Sequence, residues 1–155
     1  MTQMPMTQMS VPFDETAKMI GSRCLCLRVQ RASRAIGRQF DDAFRAVGLN
    51  NWQFSLLMSL NRPSPLTVTR LAEELAMDRT TTTKNLKPLE RRGLVEVRRD
   101  DQDARVKRVI LTEAGRALLT EAVQHWTVAQ QKIEASLRGS DLASLHGALE
   151  AIAQR

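Results

Sequence analysis

Four consecutive threonines, Thr80 to Thr83, stand between Asp78-Arg79 and a series of cations in the stretch DRTTTTKNLKPLERRG. On a helical wheel at ~100° per residue, Thr82, Leu86 and Leu89 share one narrow face. Thr80, Lys84, Lys87 and Arg91 lie opposite, with Thr83 at the edge. Hydroxyls and amines so arranged suit base edges and phosphates in the major groove of duplex DNA, which admits a single helix. Short threonines permit close approach, and the positive end of the helix dipole favours a phosphate there. Threonine costs roughly a few tenths of a kcal/mol per residue relative to alanine in a helix. A purely structural surface helix has no reason to carry that burden. Pro88 removes the bond to the Lys84 carbonyl and can bend the helix.

A second basic cluster follows: Arg98 and Arg99, then Arg105 and Lys107, around the polar loop Asp100-Asp101-Gln102-Asp103-Ala104. Arg105, near the tip, suits a neighbouring minor groove, whose negative potential attracts arginine. Asp103, two residues earlier, is placed to hold that guanidinium by a charge-assisted bond. Residues 79–108 hold ten basic and five acidic side chains, whereas residues 117–155 hold three and four. The chain's net charge of +6 is therefore concentrated where the two clusters fall, a footprint suited to a polyphosphate.

Other chemistries find little support. With two histidines, no glycine-rich phosphate loop and no convergent nucleophile or metal-ligand spacing, an enzyme, a cofactor or a metal is not expected. Cys24 and Cys26 diverge by ~200° on a helix and do not bridge each other. The start MTQMPMTQMSVPFDE lacks a signal peptide's basic and apolar regions, and no run approaches the ~18 apolar residues of a membrane span. These features predict a cytoplasmic protein with reduced thiols and no membrane partner.

The elements that must position the basic clusters follow from periodicity and punctuation. Residues 1–15 are expected as a flexible tail and 16–155 as one domain. Leu25, Val29, Ala32, Ile36, Phe40, Ala43 and Val47 form one stripe on a helix from about Gly21 to Val47, stopped by Gly48. Asn50 caps a helix carrying Trp52, Phe54, Leu56, Leu57 and Leu60, and Thr67 caps the next, with Val68, Leu71, Ala72 and Leu75 inward. Asp78 caps the threonine-rich helix, closed by Gly93. Leu94–Arg99 and Lys107–Leu111 read as strands of a hairpin. Thr112 caps a long helix with Leu119, Ala122, Trp126, Ala129, Ile133 and Leu137 in register, and Ser140 starts a last one. The expected fold is mainly α with a small β-hairpin: a winged helix-turn-helix flanked by terminal helices. A helix-turn-helix followed at once by a basic hairpin is far more specific than either part.

These residues also match a family. The stretch LTVTRLAEELAMDRTTTTKNLKPLERRGLVEVRRDDQDARVKRVILTEAG resembles the multiple-antibiotic-resistance regulator (MarR) family of bacterial transcription factors, through D-R-T-T, L-E-R-R-G-L-V, D-x-R and L-T-x-x-G. The flanking helices extend the likeness over about residues 20–155. The resemblance implies a homodimer held by helices at about 20–47 and 113–155, with the reading lobe at about 50–115. It also implies a repressor on a pseudo-palindromic double-stranded operator, half-sites ~10 bp apart, released by a small molecule or by oxidation. The DNA-facing set is then Thr67, Arg79, Thr80, Thr81, Thr83, Lys84, Lys87, Arg91, Arg98, Arg99, Asp103, Arg105 and Lys107. An aromatic or phenolic effector would be lined by Phe40, Phe44, Trp52, Met58, His125 and Trp126, each of which also reads as core or helix surface. In the hydroperoxide-sensing branch a reactive cysteine occupies the position of Cys26, within Leu25-Cys26-Leu27 and Ala32-Ser33-Arg34. That branch supports its thiolate with tyrosines, and this chain has no tyrosine. Small helix-packing roles for Cys24 and Cys26 stand beside that reading.

Overall fold

The computed structural model describes residues 13–103 and 105–153. Its elements are α1 (Phe13–Arg23), α2 (Leu25–Phe44), a 3-10 turn (Arg45–Val47), α3 (Asn51–Leu60), β1 (Leu66–Thr67) and α4 (Val68–Glu74). They continue with α5 (Arg79–Arg91), β2 (Val95–Arg99), β3 (Lys107–Leu111), α6 (Glu113–Ser136) and α7 (Leu142–Ala153). Two compact units divide within α2, one ending at Ile36 and the other beginning at Gly37.

In the second unit, side-chain caps set where the helices begin. The Asn50 side chain accepts from the Gln53 amide at 2.8 Å and Gln53 Oε1 accepts from the Asn50 amide at 3.1 Å, which satisfies two otherwise orphaned donors of α3. Thr67, Asp78 and Thr112 cap α4, α5 and α6 as their positions predict. Gly48 adopts φ +64° at the end of the 3-10 turn, a left-handed backbone that glycine tolerates without a Cβ clash.

Helices α3, α4 and α5 pack with the sheet and α6 around Leu56, Leu57, Leu71, Leu89 and Val109, all without accessible surface. Burying each such aliphatic side chain contributes roughly 1.5–3 kcal/mol. Phe44 stacks on Phe54 at 4.5 Å between ring centroids. Across Pro63-Ser64-Pro65, the Arg62 guanidinium forks onto Glu74 at 3.1 and 2.8 Å, tying the end of α3 to the end of α4. The antiparallel sheet runs β1-β3-β2, with Leu66 opposite Val109 and Val95 opposite Leu111.

The fold departs from the sequence reading at its edges. Helix α1 begins at Phe13, inside the stretch expected as tail, while residues 1–12 lie outside the described residues. The backbone leaves the helix at Cys24, so the helix expected over Gly21–Val47 is the end of α1, α2 and a 3-10 turn. There the Leu27 amide donates to Cys24 Sγ at 3.4 Å, so the thiol takes the place of a capping oxygen. The hairpin acquires a third strand, β1, because two residues are too few to show a period of two. Helix α7 starts on Asp141, which accepts from the Ala143 and Ser144 amides, rather than on Ser140. That helix buries no residue, and Leu145, Leu149 and Ile152 are each more than one-third exposed, as are Leu25, Val29 and Ile36 of α2.

Candidate nucleic-acid interface

Helix α5 is held at its start by its own side chains. The Asp78 carboxylate accepts from the Thr81 amide at 2.8 Å and the Thr81 hydroxyl at 2.6 Å. These bonds, the hydroxyl's first, hold Asp78 below the usual carboxylate range. Thr82, fully buried, donates to the Asp78 carbonyl at 3.0 Å, and Thr83 donates to the Arg79 carbonyl at 2.8 Å. Three of the four threonines thus have a local structural duty that composition alone hides. Thr80 is the member of the run whose hydroxyl has no partner among the described residues. Thr82, Leu86 and Leu89 form the buried face, as the wheel predicts, and Arg79, Thr80, Thr81, Thr83, Lys84, Lys87 and Arg91 are all exposed. The helix passes through Pro88 to Arg91 without interruption.

The exposed side of α5 is concave toward the hairpin. A cleft of about 460 Å³ lies between them, lined by Arg79, Thr83, Lys87 and Glu90 on one wall and by Arg98, Arg99 and Lys107 on the other, with Val68, Leu86 and Val97 also lining it. A smaller cleft of about 200 Å³ adjoins Thr67, Arg79, Arg105 and Lys107, and a third lies against Arg79, Thr80, Thr83, Lys84 and Lys87. Arg79 borders all three. Most of the basic residues named from sequence therefore converge on one face, while Arg91 is exposed but lines none of these clefts.

In the wing, the structure replaces the expected partner. The Asp103 carboxylate accepts from the backbone amide of Arg105 at 2.9 Å, not from its guanidinium. The ion pair belongs instead to Asp100 and Arg108. Asp100 Oδ1 also accepts from the Gln102 and Asp103 amides at 2.9 and 3.1 Å, and Arg108 Nη1 donates to the Pro65 carbonyl at 3.3 Å. The Arg108 guanidinium, followed by the Gln102 amide, holds the Asp100 carboxyl below the usual range. This brace fixes both ends of the loop that presents Arg105, which is exposed. Sequence reasoning missed it because the pair depends on strand register. Arg98 and Arg108 lie directly opposite each other, a repulsive placement unless each has its own anion. Glu96 supplies one for Arg98 at 2.5 Å.

The other sequence candidates are dispersed over α2, α3 and α6. Phe40 stacks on the buried Phe44 at 5.9 Å. Trp52, Met58 and Trp126 are exposed, and His125 is half-buried. Cys26 is exposed, with Gln30 Nε2 donating to its sulfur at 3.3 Å. The guanidinium of Arg28, two residues after Cys26, donates to the Ser22 carbonyl at 2.5 Å.

A helix-turn-helix, a braced basic wing and a concave cationic face between them define a winged-helix DNA-binding protein. The MarR family model matches residues 49–107. The organic hydroperoxide resistance transcriptional regulator of Bacillus subtilis is 31% identical over 99 residues, which cover 64% of this chain and 67% of that protein. Among solved structures, the Mycobacterium tuberculosis transcriptional regulator MosR in complex with DNA is 40% identical, with a TM-score of 0.70 over 83% of this chain and 98% of that one. The transcriptional repressor CouR bound to a 23-mer DNA duplex is 27% identical, with a TM-score of 0.75 over 88% and 96% of the two chains. The chain belongs to the MarR family of DNA-binding transcriptional regulators. No helix among the described residues is long and apolar enough to cross a membrane.

Proposed function

We propose that the protein is a cytoplasmic homodimeric repressor that occupies a pseudo-palindromic operator and leaves it when a small aromatic or phenolic molecule binds. The single observation that carries the DNA reading is the convergence of α5 and wing cations on one concave face, with Arg79 bordering all three of the clefts described there. In this reading Arg79, Thr80 and Lys87 enter the major groove, Lys84 holds a phosphate at its edge, Arg105 enters the flanking minor groove, and Thr67, Arg98, Arg99 and Lys107 line the backbone path. The exposed apolar residues of α2, and separately those of α7, support a dimer, since large apolar side chains left exposed at helical spacing mark an interaction surface. The test is selection of bound duplexes from a random palindromic library, followed by titration across salt. Lys84→Ala is expected to weaken binding similarly on all duplexes and to flatten the slope of log affinity against log salt by about one. An unaltered slope would remove Lys84 from the phosphate contacts, and failure to enrich any sequence would overturn the repressor reading.

The effector would meet the side chains of Phe40, Phe44, Trp52, Met58, His125 and Trp126. A second trigger is favoured by the exposure of Cys26 and by the name of the Bacillus subtilis relative. A hydroperoxide ROOH would transfer one oxygen to the Cys26 thiolate, leaving a sulfenate and ROH. Cys26→Ser separates the two. The thiol reading expects the serine variant to stay on the operator at peroxide concentrations that release the wild type, and it is wrong if both dissociate together.

A further inference from the structure

One side chain joins two left-handed corners of the reading lobe. The first corner closes the 3-10 turn, where Gly48 follows Val47 and the Leu49 amide donates to the Phe44 carbonyl at 3.1 Å. The second closes α5, where Gly93, at φ +68°, follows Arg92 and the Leu94 amide donates to the Leu89 carbonyl at 3.0 Å. Leu49 and Leu94, one from each corner, are buried in the same core. Arg92 Nη1 donates to the Gly48 carbonyl at 2.6 Å and Nη2 to the Val47 carbonyl at 3.5 Å. Carbonyls at a helix end lack internal donors and form the negative pole of the helix, so a guanidinium is their matched cap. The first corner is also tied back to α2, through the Asn51 amide to Asp41 Oδ1 at 2.8 Å and Asn51 Nδ2 to the Gly37 carbonyl at 3.3 Å. Polar contacts thus hold one short segment, residues 47–51, from α2 on one side and from the Arg92 guanidinium at the end of α5 on the other.

We infer that Arg92 is a positioning residue that sets the pitch of α5 against the end of α2 from residue 37 onward, and with it the separation of the two reading helices in the dimer. The inference rests on the proposed operator-binding homodimer. Arg92 lies at the opposite end of α5 from Arg79 and Thr80, so it acts through helix placement rather than at their contacts. Moving a half-site by one base pair rotates it by about 34–36° around the duplex, which a rigidly held pair of helices cannot follow.

The experiment measures binding by fluorescence anisotropy on the selected palindrome and on two derivatives whose half-sites are one base pair closer or farther apart. Wild type is expected to bind both derivatives about tenfold or more weakly. Arg92→Ala is expected to narrow that preference to about threefold or less, and Arg92→Lys to restore much of it because an ammonium can still cap a carbonyl. Loss of stability alone would lower affinity without changing the preference. Arg92→Gln carries the same comparison if the alanine variant melts too low to assay. Retention of the full spacing preference in both Ala and Gln variants overturns the role of Arg92 while leaving the operator reading intact. A wild-type protein that prefers no duplex overturns both.

Discussion

Gly115→Ala is expected to destabilise the reading lobe severely and to lower its melting temperature by about ten degrees or more. A Cβ at this position would lie 2.0 Å from the Leu94 carbonyl oxygen, 2.8 Å from Leu111 Cδ1 and 3.0 Å from the Leu94 carbonyl carbon. Backbone atoms are the obstacle, and they are pinned. The Leu94 oxygen accepts from the Thr112 amide at 3.1 Å, the Thr112 hydroxyl donates to the Gly93 carbonyl at 2.6 Å, and the Gly115 amide is itself capped by Thr112 Oγ1 at 3.0 Å. Relief would require separating α6 from the start of β2, with loss of the cap and of the buried Leu94 and Leu111 packing. Overpacking against movable side chains costs about 1–3 kcal/mol, and a rigid backbone clash belongs to the tail above ~4–5 kcal/mol. Against a total stability of ~5–15 kcal/mol, a loss of that size removes about a third of the folding free energy at the least and nearly all of it at the lower end. Circular dichroism melts and soluble yield check this, with Gly147→Ala on α7 as the control, since a Cβ there meets nothing within 4 Å. A Gly115→Ala protein melting within a few degrees of wild type would refute the account.

Arg79→Ala should have the largest effect on DNA binding of any single exposed residue, with little change in melting temperature. The side chain is exposed and borders all three clefts. A bidentate arginine–base contact is worth ~1–3 kcal/mol of discrimination, or about 5- to 150-fold between the operator and a scrambled duplex. Arg79→Lys separates charge from shape. It keeps the phosphate attraction and its salt dependence but lacks the planar fork, so the operator advantage should fall while non-specific affinity is retained. Dissociation constants on operator and scrambled duplexes at one salt concentration decide the matter. If Arg79→Ala retains the wild-type ratio, Arg79 is not a base reader.

The reading lobe was legible because its signals are local. Asn50, Thr67, Asp78 and Thr112 stand one residue before apolar-periodic runs, and a cap needs only its own first turn. The buried face Thr82, Leu86 and Leu89 follows from helix periodicity alone. What escaped notice is non-local. The Asp100–Arg108 brace needs the β2–β3 register, β1 needs the strand that pairs Leu66 with Val109 and Thr67 with Arg108, and the bond from Arg92 to Gly48 spans a separation of 44. The break at Cys24 was hidden for another reason: residues on both sides have helical pattern, and one local cap at sulfur decides where the second helix begins.

The hydrogen-bonded threonines at the start of α5 have a consequence for the thermodynamics of docking. With the hydroxyl hydrogens of Thr81, Thr82 and Thr83 all directed at oxygens of Asp78 and Arg79, three χ1 rotors are fixed before any duplex arrives. Burying that turn in a groove removes little rotational freedom, whereas Lys84 and Lys87 must each be immobilised from many rotamers. The entropic penalty of recognition should therefore fall mainly on the middle of α5, and its first turn should dock as a nearly rigid template.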